Sequence, residues 1–194
     1  MWFLSLEWLA LTVGVFWAVG AYTRLKRLRA ACAQAFQSLD LHLQQLLAVL
    51  DEFDAQSPVD QGEMLPARHA LQPTAALLQA ALQGARAQPL QGDGVAGLDA
   101  AWQALQVAWS AYEAVVAHQR ADAPARQTLA PWSQRWQQQH TLQVHAAEQF
   151  NQAVSAYNAA IAQFPARLLA WIFAFQRARG LHSEAAPHQA AALS

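Results

Sequence analysis

The sequence contains a single cysteine, Cys32, among its 194 residues. One cysteine cannot form a disulfide within the chain, and no Cys/His cluster has the spacing of a zinc site. Cys32 lies on an apolar helical stripe, so we interpret it as a small core side chain rather than as a reactive thiol. The sequence therefore leaves the redox state of the compartment open.

The chain also has no surplus of basic residues, since 12 Lys and Arg stand against 13 Asp and Glu, for a net charge of −1. A protein that binds nucleic acid normally carries such a surplus, so the composition disfavours nucleic acid as a partner. Glycine and proline are few, at eight each, while Ala, Leu and Gln dominate. These three residue types lose little conformational freedom in a helix, and the composition predicts an all-α protein.

No arrangement of residues typical of an active site is present. The carboxylates are few and scattered, and neither a phosphate-binding glycine loop nor the setting of a Ser or Cys nucleophile occurs. His140, His145 and Glu148 are close on one predicted helix, but the further glutamates of a four-helix di-iron site are missing. The sequence predicts a non-catalytic protein without metal or cofactor.

A long apolar run stands at the start of the chain, over residues 2–22 (WFLSLEWLALTVGVFWAVGAY), with Glu7 as its single charge. A helix needs roughly 20 apolar residues to cross about 30 Å of hydrocarbon, and Trp and Tyr favour the two interfaces. The run predicts a transmembrane anchor over residues 1–22. The alternatives are a cleaved signal peptide, which would want a basic segment before the run, and a buried soluble helix, which would want a polar face.

Four basic residues follow the apolar run directly, whereas no basic side chain precedes it. They are Arg24, Lys26, Arg27 and Arg29. Because Lys and Arg are retained on the cytoplasmic side, we expect a single-pass membrane protein with its N-terminus outside and its domain in the cytoplasm. The same four charges are close enough to contact anionic headgroups, although setting the topology explains them by itself.

The rest of the chain has apolar residues three and four positions apart in four stretches, as in helices that pack along one another. The predicted helices cover residues 21–54, 65–88, 98–119 and a last stretch that starts by Pro131 and ends near 164. They predict an antiparallel four-helix bundle over residues 23–165, with long first and last helices. Pro73 is expected to kink the second helix or delay its start. The tryptophan pairs, expected in the core or in an exposed docking patch, are Trp102 with Trp109 and Trp132 with Trp136.

An even number of antiparallel helices returns the chain to the end where the anchor leaves. The returning segment, residues 166–181, is too short to span a membrane, but it combines an apolar cluster with flanking arginines. It is expected either to lie in the membrane interface or to fold back as a cap on the bundle. Residues 182–194 are expected to be disordered. The apolar residues of the cluster are Leu168, Trp171, Ile172, Phe173 and Phe175.

Two stretches of the chain resemble the bacterial LemA family. The run AYTRLKRLRAACAQAFQSLDLHL at residues 21–43 is similar to the family's opening, and FNQAVSAYNAAIAQFPARLLAWIFAF at 150–175 to its C-terminal signature. The resemblance implies a membrane-anchored helical bundle without an agreed biochemical activity. Residues 44–53 lack the basic, proline-containing stretch of that family, which favours a divergent subgroup. The matched residues are Tyr22, Arg24, Leu25, Leu28, Arg29, Asp40 and Leu43, then Phe150, Asn151, Ala153, Val154, Tyr157, Asn158, Ala160, Ile161, Phe164, Pro165 and Leu168.

Asp40, Asn151, Tyr157 and Asn158 are the candidate interaction or register residues. Asn151 and Asn158 are seven positions apart, so they share a helix face and would bond Asp40 if that face meets the first helix. Such a layer either sets the bundle register or recognises a partner. The sequence predicts a membrane-anchored scaffold or adaptor for unidentified proteins. The alternative is a protein that senses or perturbs lipid through residues 165–180.

Overall fold

The structure is a computed structural model that describes residues 2–56, 64–118, 123–163 and 176–181. The side chains of residues 1–7, 9–11 and 123–125 lie outside this description. Within the described ranges all regular secondary structure is α-helical, which confirms the predicted all-α class. The helices are α1 (Trp2–Gln56), α2 (Met64–His69), α3 (Leu71–Ala87), α4 (Gly92–His118) and α5 (Ala123–Ala162).

The helices form an up-down-up-down bundle in which α2 and α3 together take the second position. The backbones of α1 and α5 pack closely along each other, and so do those of α3 and α4. The first and last helices are the longest, with 55 and 40 residues, as the sequence predicted. The pairs that fix the antiparallel directions are Phe36–Phe150 and Phe53–Trp132 between α1 and α5, and Asp40–Arg86 and Asp54–Arg68 between α1 and the α2–α3 pair.

One apolar stripe of α1 lines the core along the whole bundle, and α1 is continuous with the N-terminal run as predicted. Eight side chains of this stripe are each at most 5% exposed. Burial of one large apolar side chain contributes about 1.5–3 kcal/mol. Leu28 is only partly buried, but the predicted stripe is otherwise confirmed. Its members are Leu25, Cys32, Phe36, Leu39, Leu43, Leu46, Leu50 and Phe53.

Tryptophan rings fill the space between α4 and α5. Trp136 stacks on Trp109 with ring centroids 4.7 Å apart and on Trp102 at 6.0 Å. Trp132 makes an edge-on contact with Phe53 of α1. All four tryptophans are at most 8% exposed, so they belong to the core and do not form a docking patch.

The predicted second helix is divided at Ala70. Pro73 has no backbone N–H to donate to the carbonyl of His69, four positions earlier, so the helical ladder cannot pass this point intact. The Ala70 N–H still donates to the Pro66 carbonyl at 3.1 Å, as the last such bond of α2, and α3 starts at Leu71. The effect expected of Pro73 is thus a break between two helices.

One helix starts earlier than the sequence predicted, α4 at Gly92 rather than 98, whereas the start of α5 at Ala123 agrees with the prediction that it begins by Pro131. The glycines of residues 88–97 suggested a loop, but Val95 is only 1% exposed and its burial favours the helix. A Cβ atom at Gly94 would lie 3.4 Å from the Ala85 Cα atom, so glycine here lets α4 start close against α3.

The start of α1 projects beyond the bundle. Val13, Phe16 and Val19 are 61%, 83% and 56% exposed, and a Cβ atom added at Gly14 would meet nothing within 4 Å. Among the residues that the structure describes, however, no helix combines the length and the apolar character that crossing a membrane requires. The transmembrane helix expected over residues 1–22 is therefore not supported.

Candidate functional site

A set of hydrogen bonds joins α5 to the non-helical residues 176–181, which we call the strap. Asn158 binds both polar groups of Ala178: its Nδ2 donates to the Ala178 carbonyl at 2.8 Å, and its Oδ1 accepts from the Ala178 N–H at 2.9 Å. Asn151 binds Leu181 in the same way, at 3.0 and 2.8 Å. We call Asn151 and Asn158 the Asn clasp. It replaces the hydrogen bonds that a neighbouring β-strand would supply.

The spacing of the Asn clasp requires an extended strap. Seven helical residues rise about 10.5 Å, and three extended residues cover about 10 Å. The two clasped strap residues, Ala178 and Leu181, are three positions apart, so the strap must be almost fully stretched and run antiparallel to α5. Val144 stands seven positions before Asn151 and has no amide with which to continue the ladder. The clasp therefore has two rungs.

Three strap residues fit the surface through their size. Ala178 is 6% exposed, and Leu181 packs against the core. A Cβ atom at Gly180 would lie 2.5 Å from the Asn151 Oδ1 atom, closer than real Cβ atoms approach. The side chains of Arg177 and Arg179 are exposed, and the Cβ and Cδ atoms of Arg179 lie 3.7 Å from where a Cβ atom of Gly92, at the start of α4, would stand. The bound segment thus has the pattern small–x–Gly–apolar over residues 178–181.

Tyr157 fixes the other end of the strap. Its hydroxyl donates to the Gln176 carbonyl at 3.1 Å, and the residue is 2% exposed. Burial raises the pKa of the Tyr157 hydroxyl above its usual 10.0, although the nearby charge of Arg29 acts in the opposite direction. The hydroxyl therefore stays protonated and remains a donor at neutral pH. Because Arg29 lies on α1, Gln176 is held at the end of the bundle from which α1 projects.

Asp40 does not join this arrangement, and the expected bond between Asp40 and the two asparagines is wrong. Its Oδ1 accepts from Arg86 Nε at 2.7 Å, and its Oδ2 accepts from Gln44 at 2.7 Å. Asp40 therefore connects α1 to α3, whereas Asn151 and Asn158 bind the chain's own C-terminal backbone. The expectation that both asparagines share one face of the last helix is correct.

The four predicted membrane-proximal basic residues, Arg24, Lys26, Arg27 and Arg29, are all exposed. Lys26 Nζ lies 5.7 Å from the centre of the Tyr22 ring. The four residues surround Leu25, the first fully buried residue of the α1 stripe. They thus mark the boundary between the exposed apolar start of α1 and the bundle.

Several predicted residues fall outside the described chain. Gln163 and Gln176, which flank residues 164–175, are both described. The tail expected to be disordered, residues 182–194, also lies outside the description. The interfacial candidates that lie outside the described residues are Leu168, Trp171, Ile172, Phe173 and Phe175.

A cavity of about 260 Å³ lies between α1, α2 and α3, beside Leu50 and Leu71. Three of its lining residues bind one another: Arg68 Nη2 donates to the Asp54 backbone carbonyl at 2.8 Å, and Gln72 donates to the Asp54 carboxylate at 3.0 Å. Asp51 and Gln79 also line the cavity. The Arg68 guanidinium also lies 5.2 Å from the centre of the Phe53 ring. These contacts join α1 to α2 and α3 at the far end of the bundle.

The histidines discussed as metal ligands have other partners. His140 stacks on Trp102 and contacts the Gln106 side chain at 2.6 Å, while His145 Nδ1 lies 3.6 Å from Glu148 Oε2. In the described part of the chain, no three His, Cys, Asp or Glu side chains converge as a metal site would require. Cys32 is fully buried, and burial raises the pKa of its thiol.

The fold and the clasp together define a helical-bundle protein whose C-terminal strap is bound by its last helix. Comparisons with protein-family models, with curated proteins and with solved structures find no match for this chain.

Proposed function

We propose that the protein is a non-catalytic scaffold or adaptor that is attached to the bacterial inner membrane by the start of α1, with the bundle on the cytoplasmic side. The observation that carries this proposal is the apolar surface of α1 beyond the bundle, where Val13, Val15 and Phe16 are 61%, 58% and 83% exposed. Soluble monomeric proteins rarely expose large contiguous apolar patches, and those that occur often mark contacts with membranes or proteins.

The chemistry of this segment suits a lipid environment. A helix satisfies its own backbone polar groups, and the hydroxyl of Thr12 donates to the Trp8 carbonyl at 2.7 Å. The basic residues 24–29 follow at the boundary, where their charges can reach phosphate groups. The proposed segment also includes residues 2–7 and 9–11, so it rests on the sequence as well as on the exposed residues 12–20.

We further propose that the chain is a divergent member of the LemA family. The support is the order of the two matching stretches around a helical bundle, with the second stretch carrying Asn151, Tyr157 and Asn158. The adaptor role is supported by the structural contacts that polar groups of the bundle make with one another, as Asp40 does with Arg86 and Asp54 with Arg68. The partners are a membrane lipid surface and proteins of unknown identity.

Membrane attachment is tested by charging the exposed segment. Val13→Asp combined with Val15→Asp adds two carboxylates to the middle of the apolar run, each costing about 2.5–3.5 kcal/mol at a helix centre in a membrane. We expect the double variant to move from the carbonate-resistant membrane fraction to the soluble fraction. Val107→Asp with Leu77→Asp is the matched control, because these bundle residues are 67% and 53% exposed. If both double variants appear in the same fraction as the unchanged protein, the proposed anchor is contradicted.

The second candidate function is contact with lipid through residues 165–180. It is favoured by Tyr157, which holds Gln176 at the end of the bundle that carries the four basic residues, and by the exposed Arg177 and Arg179. The test measures binding of the Val13→Asp, Val15→Asp protein to phosphatidylglycerol vesicles. Loss of this binding when Arg177→Gln and Arg179→Gln are added would support the candidate. Vesicle binding by neither protein would remove this candidate.

A further inference from the structure

Among the residues that the structure describes, five hydrogen bonds join the bundle to the strap, and all of them go to strap backbone atoms. The bundle atoms belong to Asn151, Tyr157 and Asn158. Backbone N–H and C=O groups are common to all non-proline residues, so contacts of this kind do not depend on the sequence of the bound segment. The strap is therefore one example of a segment that this face of α5 can hold.

We propose that this face of α5 is a binding site for an extended segment of a partner protein, and that the strap occupies the site within the chain until the partner displaces it. The inference rests on the proposed adaptor function and names its binding site. The strap itself, seated on the clasp, supplies the chemistry of the partner segment.

The partner segment must match the strap at three positions. At the position of Ala178 a small residue with a backbone N–H is required, because the side chain is buried and Asn158 accepts from that N–H. At the position of Gly180 glycine is favoured, because a Cβ atom there would force the Asn151 side chain to shift. At the position of Leu181 an apolar, non-proline residue is required. The position of Arg177 is exposed, and the position of Arg179 is exposed but borders Gly92 of α4.

The strap is held by few contacts, which makes displacement feasible. Both of its arginine side chains are exposed, and its buried or partly buried side chains are the small Ala178 and Leu181. Its binding is intramolecular, with an effective concentration of the order of millimolar for a short tether. A partner segment of the right pattern therefore binds weakly to the intact chain and tightly once the strap is disabled.

The test uses the full chain in detergent micelles and a blocked hexapeptide of residues 176–181, QRARGL. Gly180→Val disables the strap because the added side chain collides with Asn151. We expect the Gly180→Val chain to bind the hexapeptide at least ten-fold more tightly than the unchanged chain, with shifts of the Asn151 and Asn158 side-chain amide NMR signals. A hexapeptide carrying Gly180→Val is the matched control and should not bind. Gly84→Val, at an open helical position of α3, controls for the substitution itself.

Three results would overturn the proposal. The first is equal affinity of the hexapeptide for the Gly180→Val chain and the unchanged chain, and the second is equal binding of the control hexapeptide. The third is formation of dimers by exchange of straps between copies, seen by sedimentation, because the occupant would then be a second copy. Conversely, Asn158→Asp in the Gly180→Val chain should weaken binding while circular dichroism shows an intact fold. Membrane fractionation of the same proteins reports on the anchor separately, so failure of one proposal is distinguishable from failure of the other.

Discussion

Gly180 lies so close to Asn151 that a Cβ atom at residue 180 would be 2.5 Å from the Asn151 Oδ1 atom. The same Oδ1 accepts a hydrogen bond from the Leu181 N–H at 2.8 Å. The amide of Asn151 cannot move away from residue 180 without losing this bond. The clasp and the glycine therefore depend on each other.

Gly180→Ala should lower the free energy of unfolding by about 1–3 kcal/mol, the usual range for a substitution that adds a methyl group where no space exists. Urea unfolding followed by circular dichroism measures the change. Gly84→Ala is the control with the opposite sign, because a Cβ atom at this α3 position meets nothing within 4 Å. It should raise stability by about 0.5–1 kcal/mol. Destabilisation by both substitutions would contradict the role of Asn151.

Each rung of the clasp should protect a different backbone amide. Asn158→Ala removes the acceptor of the Ala178 N–H, and Asn151→Ala removes that of the Leu181 N–H. Amide hydrogen exchange should accelerate at Ala178 in the first variant and at Leu181 in the second. Gln152→Ala, at an exposed position of α5, should leave both amides unchanged. Unaltered exchange in the two Asn variants would show that the strap is not held by the clasp.

Cys32 should be unreactive in the folded protein, because it is fully buried and burial raises the pKa of its thiol above the usual 9.0. Thiol reagents should modify it only in denaturant. The unfolded thiol ionises first as pH rises, so the stability contributed by Cys32 is complete below about pH 9 and is lost at higher pH. Cys32→Ala should reduce this loss of stability at high pH. Leu41→Cys in the Cys32→Ala chain, at a side chain 52% exposed, should react in the folded state.

Gln143 should be replaceable with a gain in stability. It is 4% exposed, and its Oε1 atom has no hydrogen-bond partner among the described residues. Gln143→Met keeps the shape and removes the unsatisfied acceptor, so the free energy of unfolding should rise by about 1 kcal/mol. Gln149→Met, at an exposed position of the same helix, should change it by less than about 0.5 kcal/mol. A loss of stability in Gln143→Met would indicate that Oε1 is hydrated.

The stripe of α1 was predictable because its information is local. Positions such as Leu39, Leu43 and Leu46 repeat at helical spacing, and burial of one face follows whatever the partner is. The start of α4 was not predictable in this way. Gly92 and Gly94 suggest a turn by composition, and the burial of Val95 that favours a helix there depends on α3, which the local sequence does not contain.

The candidate site was likewise predictable only where the information is local. The spacing of Asn151 and Asn158 correctly placed both on one face, but it could not identify their partners, which are non-helical and 30 and 20 residues further along the chain. The sequence does contain a feature that identifies the partners, which is a match between a distance along the helix and a distance along an extended chain. Two asparagines seven positions apart on a helix are as far apart as residues 178 and 181 of a stretched chain, and the latter pair brackets Gly180.

The uninterrupted α1 helix has a mechanical consequence. The helix is unbroken from its exposed start to Gln56 at the far end of the bundle. The part beyond Tyr22 is about 50 Å long at 1.5 Å per residue. A rotation of about 10° at the start of such a rod carries its tip sideways by about 9 Å. Whatever orients the first turns of α1 therefore aims the whole molecule, and the C-terminal strap moves with it.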